Sequence, residues 1–387
     1  MTETPNSEHQ EHGYKKISDS LAASKKEMIF FLMLIILYFY LRFSGIEATL
    51  VIVLGLLCGT WLAFRPSEWA VEGIESGAGH LGLTAYVAGM FSSLASNMPE
   101  AAISGIAAYS GEITNQPELK TIAVLSVLIA AGFNMILLGL TIIISTKGKD
   151  DMPVPEEAIK KDSVLLRWTI VALISIFALG IVDVAFAESA NAQFFIPWEA
   201  SFILFFSYII YAYSLVTEDK TEDTEIAEAH HSRRTAAILA VIGFIGIFLA
   251  GEILTSSVEI LLHEYNHIIS DFANPVTIAA VILGAAGAIP EHGIALIAAA
   301  KGKIGLAVGN LIGGVLQIIL LVSGGIGIFV PIPMNRYVLF QLIVIAGSLW
   351  FLKRAITDDH HLDLFEGAMI ILLQAYVFAL LIWGTPI

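Results

Sequence analysis

The sequence predicts an all-α integral membrane protein of about eleven transmembrane helices, with one extra N-terminal helix followed by two inverted five-helix repeats. Three observations carry that expectation. The 387 residues are 57% hydrophobic and 14% charged, with a mean hydropathy of +0.79, far from the composition of soluble domains. About eleven apolar runs are long enough to cross ~30 Å of hydrocarbon. A Pro-Glu pair, Pro99-Glu100 and then Pro290-Glu291, recurs near the centre of a hydrophobic run in each half, where an ionisable side chain is costly and marks function.

Residues 1–27 are polar and lack a short apolar core followed by a small-residue cleavage site, so a tail is expected and a cleaved signal peptide is not. Residues 28–45 hold the extra helix, built on the run Met28–Phe43. The first repeat, 46–216, contains runs at 48–80, 81–109, 121–145, 165–186 and 198–216. Its first run continues past Arg65 because W-A-V-E-G-I-E-S-G-A-G-H, Trp69 to His80, reads as an amphipathic extension. Residues 217–233 form an acidic linker, T-E-D-K-T-E-D-T-E-I-A-E-A-H-H-S-R, read as a solvated connection or, alternatively, a cation sensor. The second repeat, 234–387, contains runs at 235–252 with an extension to about 269, then 276–300, 304–330, 337–352 and 365–383.

The halves match each other in sequence. S-E-W-A-V-E-G-I-E before the first Pro-Glu site corresponds to G-E-I-L-T-S-S-V-E before the second, pairing Glu68 with Glu252 and Glu75 with Glu259. Each Pro-Glu run is followed by a run rich in small residues that carries one amide, Asn134 or Gln317. Five helices is an odd number, so consecutive copies enter the bilayer in opposite senses. Charge gives an independent orientation. With the N-terminus inside, cytoplasmic segments collect Lys15, Lys16, Lys25, Lys26, Lys147, Lys149, Lys160, Lys161, Lys220, Arg233, Arg234, Lys301, Lys303, Lys353 and Arg354, whereas the other side receives little beyond Arg42, Lys120 and Arg336. That bias predicts a cytoplasmic N-terminus and a C-terminus outside. Trp168, Trp198, Trp350 and Trp383 fall near helix ends, where indoles anchor at the interface. The net charge of -15 argues against nucleic acid as a partner, and the single cysteine, Cys58, allows no intramolecular disulfide.

A proline inside a helix removes a donor, so Pro99 and Pro290 are expected to free carbonyls at about Ala95, Ser96, Ala286 and Gly287. Such oxygens are tolerated at membrane depth only where they face protein or a hydrated cavity. Together with Glu100, Glu291 and amide oxygens they make a ligand set for a hard cation such as Ca²⁺. Asn97 lies one turn before Glu100, while Ala288 in the matching place offers no ligand. Gly105, Gly132, Gly309, Gly313 and Gly314 allow close helix approach. Asn134 and Gln317 are candidate ligands, or bonds between helices. Glu68, Glu72, Glu75, Glu252 and Glu259 lie near helix ends and can snorkel. His292 points away from Glu291 on a helix and reads as packing or interfacial.

These residues resemble the cation/calcium exchanger superfamily over both halves, most strongly around Glu100 and Glu291. Pro-Glu in both halves and V-G-N-L-I-G, Val308 to Gly313, are similar to sodium/calcium exchangers. Asn97 before Glu100, Glu291-His292, the Lys301 and Lys303 turn and Gln317-Ile318 are similar to calcium/proton antiporters, a branch that also has an extra first helix and an acidic segment between its halves. The resemblance implies a non-enzymatic, cofactor-free antiporter of a cell membrane, with inorganic cations and the bilayer as its partners. It implies Ca²⁺ or a related divalent cation exchanged for H⁺ through Glu100 and Glu291, with Asn97, Ser96, Gly287, Asn134 and Gln317 as the other ligands. The alternative is Na⁺-coupled exchange, and a more distant one is a channel or a cation sensor. Sodium sites call for hydroxyls where this chain has Asn97, Ala130, Ala288 and Gly314, so protons are the expected coupling ion.

Overall fold

The structure is a computed structural model describing residues 25–45, 47–83, 85–154, 158–186, 193–218, 228–300 and 304–383. The residues outside these ranges include most of the tail, the centre of the acidic linker, Lys301, Lys303 and the last four positions. The side chains of Pro290, Glu291 and His292 also lie outside the description, although their backbone is helical.

Among the described residues the chain forms eleven helical units. The first is α1 (Lys25–Ser44). The first repeat follows as α2 (Ala48–His80), the two-part unit α3 (Ala85–Ser96) and α4 (Met98–Ile113), α5 (Pro117–Ser145), α6 (Ser163–Ala185) and α7 (Trp198–Glu218). The second is α8 (Arg233–Ile269), α9 (Pro275–Ala300), then α10 (Ile304–Gln317) joined through a π-helical turn (Ile318–Ser323) to α11 (Gly324–Phe329), α12 (Arg336–Asp358) and α13 (Leu364–Trp383). Among the described residues, eight helices are long and apolar enough to cross a bilayer, Ala307–Phe329 being counted as one through its π turn. Three of the helix starts are capped by side chains. Ser232 Oγ accepts from Thr235 N at 3.2 Å to open α8. Asn335 Oδ1 accepts from Tyr337 N and Val338 N, both at 3.1 Å, to open α12. Asp363 and Glu366 exchange side-chain-to-backbone bonds of 2.7 and 3.1 Å in a reciprocal cap at α13.

Two short contacts between loops display the inversion. Strand β1 (Asp151–Pro153), after α5, pairs antiparallel with β2 (His361–Asp363), between α12 and α13. On the opposite side, one span later, Phe195 between α6 and α7 bridges to Pro333 between α11 and α12. Exchanging the repeats converts one contact into the other. A half-turn about an axis in the membrane plane does this, and a duplication in parallel orientation does not.

Helices α2 and α8 run antiparallel along most of their lengths through glycine faces. A Cβ on Gly73 would stand 2.5 Å from the Ala236 carbonyl, and one on Gly243 2.6 Å from both Ala70 N and the Pro66 carbonyl. Apolar burial does not drive association between helices in lipid, so backbone approach of this kind does. With α1 they form an apolar cluster of their own that contains Tyr38, Leu54, Leu62, Ala250 and Ile253, while Leu254 and Val258 of α8 join the main core. Arg65 of α2 ties this group to α1, binding Glu27 at 3.1 Å and Glu68. Glu75 accepts from Ser92 Oγ at 2.7 Å and Glu72 stands 3.4 Å from His231 Nε2. Three of the acids expected to snorkel therefore have protein partners, while Glu252 is exposed. Trp168, Trp198, Trp350 and Trp383 are all exposed.

Two expectations require correction. The run 81–109 is not one helix, because Asn97, at φ -90° and ψ 5°, interrupts it and Pro99 opens α4 instead of lying inside a helix. The run 304–330 is likewise divided by the π turn after Gln317. The α2–α8 contact gives a stability prediction. Gly243→Ala places a methyl against backbone that cannot yield, at a cost of about 1–3 kcal/mol, and lowers the thermal midpoint in detergent. Gly77→Ala, with nothing within 4 Å of the new carbon, leaves the midpoint unchanged.

Candidate functional site

Asn97 decides the local architecture. Proline cannot donate a backbone N–H, so Pro99 supplies none to the Ala95 carbonyl and is best accommodated at the start of a new helix. The break puts Glu100 in the first turn of α4, where a helix N-terminus accommodates an anion better than a helix centre does. Glu100 is 2% exposed. Its side chain lies over α9 at Gly287, where an added Cβ would come within 3.0 Å of Glu100 Cγ and 3.3 Å of Cδ. Glu291 follows Gly287 by four residues, one turn along α9. Glu100 thus lies against α9 one turn from the backbone of the second Pro-Glu segment.

Close backbone contacts hold this meeting point. Gly251 of α8 packs on the Ala102 carbonyl and Gly284 of α9 on the Ser126 carbonyl and Ala130 N of α5, in each case leaving no room for a Cβ. Ser104 and Ser126 share a 3.0 Å hydrogen bond and set the register between α4 and α5. Asn134 lies one turn beyond Ala130 on α5. It is 0% exposed, and neither atom of its amide has a hydrogen-bond partner among the described residues. A buried amide is normally satisfied, so this one is chemically suited to a ligand.

Gln317 occupies a different environment. Asn97 Nδ2 donates to the Ser93 carbonyl at 2.9 Å and to Gln317 Oε1 at 2.5 Å. Ser93 Oγ also donates to Gln317 Oε1, at 3.3 Å, and Gln317 Nε2 donates to the Tyr208 hydroxyl at 2.7 Å. Ser96 Oγ donates to the Ser93 carbonyl at 2.8 Å. The structure therefore brings Ser96, Asn97, Glu100, Gly287 and Gln317 to the break between α3 and α4. The similarity expected between Asn134 and Gln317 does not extend to their bonding, since Gln317 joins helices and Asn134 does not. Asn97 has no counterpart across the repeats, because α9 runs unbroken through Pro290 and Ala288 is a buried residue without an oxygen. Ser93, Ser104, Ser126 and Tyr208 escaped the sequence reading. Only Ser93 carried a local signal, through its place in S-S-L-A-S-N.

The profile of the family described as sodium/calcium exchanger protein matches residues 47–217 and 235–383. The chain belongs to that family. Its matched segments are α2 to α7 and α8 to α13, leaving α1 outside. Among curated relatives, the Ca²⁺/H⁺ antiporter ChaA of Bacillus subtilis (strain 168) is 30% identical over 162 residues, covering 41% of this chain and 43% of ChaA. The match thus spans less than half of that relative's length. Three solved structures share the exchanger fold. An H⁺/Ca²⁺ exchanger, CAX, superposes with a TM-score of 0.69 at 15% identity over 95% of this chain and 93% of that one. YfkE gives 0.64 at 18% identity over 91% and 98%. The sodium-calcium exchanger NCX_Mj gives 0.56 at 21% identity over 85% and 98%.

Within this exchanger family the geometry predicts that Glu100→Gln and Gly287→Val both reduce cation flux in reconstituted vesicles to background. The first removes the charge, and the second drives a branched side chain into the space of Glu100. Near-normal flux by either variant, in protein that elutes as a single monodisperse species, would exclude this contact from the transport site.

Proposed function

We propose that the protein is a secondary active antiporter exchanging Ca²⁺, or a related divalent cation, for H⁺ by alternating access through Glu100 and Glu291. The observation that carries this reading is the buried Glu100 side chain lying over Gly287, one helical turn from Glu291. On this reading the two acids share one ion, and two carboxylates that share a site away from water need a counter-charge. A divalent cation supplies it in one step, and a proton on each supplies it in two. Cation and protons then exclude one another, which is the requirement for exchange. Asn134, Asn97 and Gln317, with the backbone carbonyls of Ser96 and Gly287, are the neutral oxygen sources around the acids, and a hard cation takes six to eight oxygens.

The coupling ion is read from what surrounds the acids. Sodium coupling replaces one divalent ion with several monovalent ones and needs further oxygens. Ala130 and Ala288 are fully buried and provide no side-chain oxygen, nor does buried Gly314. Protons need only the two carboxylates. The names of ChaA and CAX, both proton-coupled, point the same way. We further assign the protein to the cell membrane with the N-terminus in the cytoplasm and the C-terminus outside, on the lysine and arginine bias of its loops.

Flux in proteoliposomes tests the reading. An acid interior is expected to drive Ca²⁺ uptake in the complete absence of sodium, and raising the pH on both sides is expected to strengthen Ca²⁺ binding by removing its competitor. Uptake that requires internal sodium and ignores pH would replace proton coupling with sodium coupling.

A further inference from the structure

We propose that the groove between the end of α2 and the start of α8 binds one anionic phospholipid of the cytoplasmic leaflet, with the phosphate on Arg233 and an acyl chain along the apolar walls. The inference goes beyond ion exchange and takes from that reading only the orientation, which decides the leaflet. Helices α2 and α8 touch at Gly73, where an added Cβ would stand 2.5 Å from the Ala236 carbonyl, and have parted one turn later at Gly77, where it would meet nothing within 4 Å. The space that opens there measures about 570 Å³ and is lined by Gly77, Leu81, Phe91, Ala237, Ala240 and Arg233, among others. That is the size of a small-molecule site. The neighbouring face of α2 pins the entry to α8. Ser76 Oγ accepts from His231 N at 2.8 Å and donates to the His231 carbonyl at 3.1 Å, and His80 Nε2 donates to the same carbonyl at 2.6 Å. The groove is therefore held open by the fold itself.

Depth selects a lipid as the occupant. The chain changes from Arg233-Arg234 to an apolar run at Ala236, which sets the membrane boundary at the mouth of the groove. Ala237 and Ala240 lie about one and two turns deeper than Arg233, the direction an acyl chain takes from its headgroup. Leu81, 77% exposed, and the exposed Phe91 stand at the lip, where hydrocarbon covers them and a soluble anion does not. Charge selects the headgroup. Arg233 is exposed and has no ion-pair partner among the described residues. It shares the first turn of α8 with Arg234, at the helix end whose dipole disfavours cations and favours an anion. The nearest acids of α2 are engaged elsewhere, Glu72 at 3.4 Å from His231 Nε2 and Glu75 with Ser92 Oγ at 2.7 Å. The adjoining acidic linker, residues 217–229, supplies charge but has Ile226 as its only large apolar side chain, so it matches Arg233 and not the apolar walls. A phospholipid matches both.

Native mass spectrometry and thermal unfolding of the full-length protein in a neutral detergent test the proposal, with dioleoyl phosphatidylglycerol and dioleoyl phosphatidylcholine as probes. The wild type is expected to retain one phosphatidylglycerol and to show a thermal midpoint that rises saturably with it, with neither effect from phosphatidylcholine. Arg233→Gln is expected to weaken phosphatidylglycerol binding about fivefold, the scale of one basic side chain on an anionic headgroup. Arg354→Gln, at another exposed arginine, leaves it unchanged. Gly77→Leu fills the groove and is expected to abolish retention, and Ala237→Leu makes the same test from the α8 wall where the first variant does not fold. Equal binding of the two lipids, wild-type affinity in Arg233→Gln, or retention by a folded Gly77→Leu or Ala237→Leu variant overturns the proposal. So does an equal rise with glycerol 3-phosphate, which makes the groove a soluble-anion site, and so does a wild type that binds neither lipid, the result expected if the acidic linker covers Arg233. Neither readout uses ion flux, so a failure of the exchange reading is separable from a failure of this one.

Discussion

A carboxylate at the depth of the hydrocarbon cannot stay charged and alone. The rest of this structure is arranged around that constraint. The cost of an isolated charge there is several kcal/mol even after relaxation, larger than any single packing term in the protein. Burial of Glu100 between α4 and α9 is affordable only if something neutralises it in every state. The proposed transport cycle is the alternation of two neutralising partners, and the same energetic demand that would make an unneutralised acid destabilising makes the site selective for states in which it is filled.

Bringing charged and polar groups into one small volume requires helices closer than ordinary side chains permit. Glycine provides this at each contact that frames the site, with Gly251 against Ala102, Gly284 against Ser126 and Gly287 against Glu100. The α2–α8 pair uses the same device over a longer path. Part of its apolar surface forms clusters of its own, one of which includes Ala102 of α4, the helix that carries Glu100, while Leu254 and Val258 join the main core. The two halves are related by inversion but not by chemistry. One has a broken helix with Asn97 at the break, and the other has a continuous helix with Ala288, so the side-chain amide beside the first Pro-Glu pair has no equivalent beside the second.

Hydropathy is blind to backbone geometry, and this divides what the sequence revealed from what it concealed. The ends of α2, read at Ala48 and His80, coincide with the structure because they are set by the change from apolar to polar residues and by Gly82 with its positive φ. The interruption at Asn97 and the π turn after Gln317 lie inside uninterrupted apolar runs, where no composition change marks them. Proline did signal the first, but Pro290 lies within an unbroken helix, so the residue alone does not distinguish a break from a tolerated kink. Glu100 and Glu291 were legible because a charge in an apolar run is conspicuous and its recurrence more so. Tyr208 was not, since α7 contains several tyrosines and the relevant bond spans 109 residues of sequence.

The central claim is that one divalent cation and the protons compete for the same pair of carboxylates. The direct measurement is the number of protons released when Ca²⁺ binds to the purified protein in a weakly buffered solution. It should be made near the pH at which the cation-free carboxylates are protonated, because cation binding to an acidic ligand set is linked to deprotonation. The account predicts a release of about two protons per Ca²⁺ bound, falling toward zero at higher pH as binding tightens. Calcium binding with no proton release at any pH would contradict it.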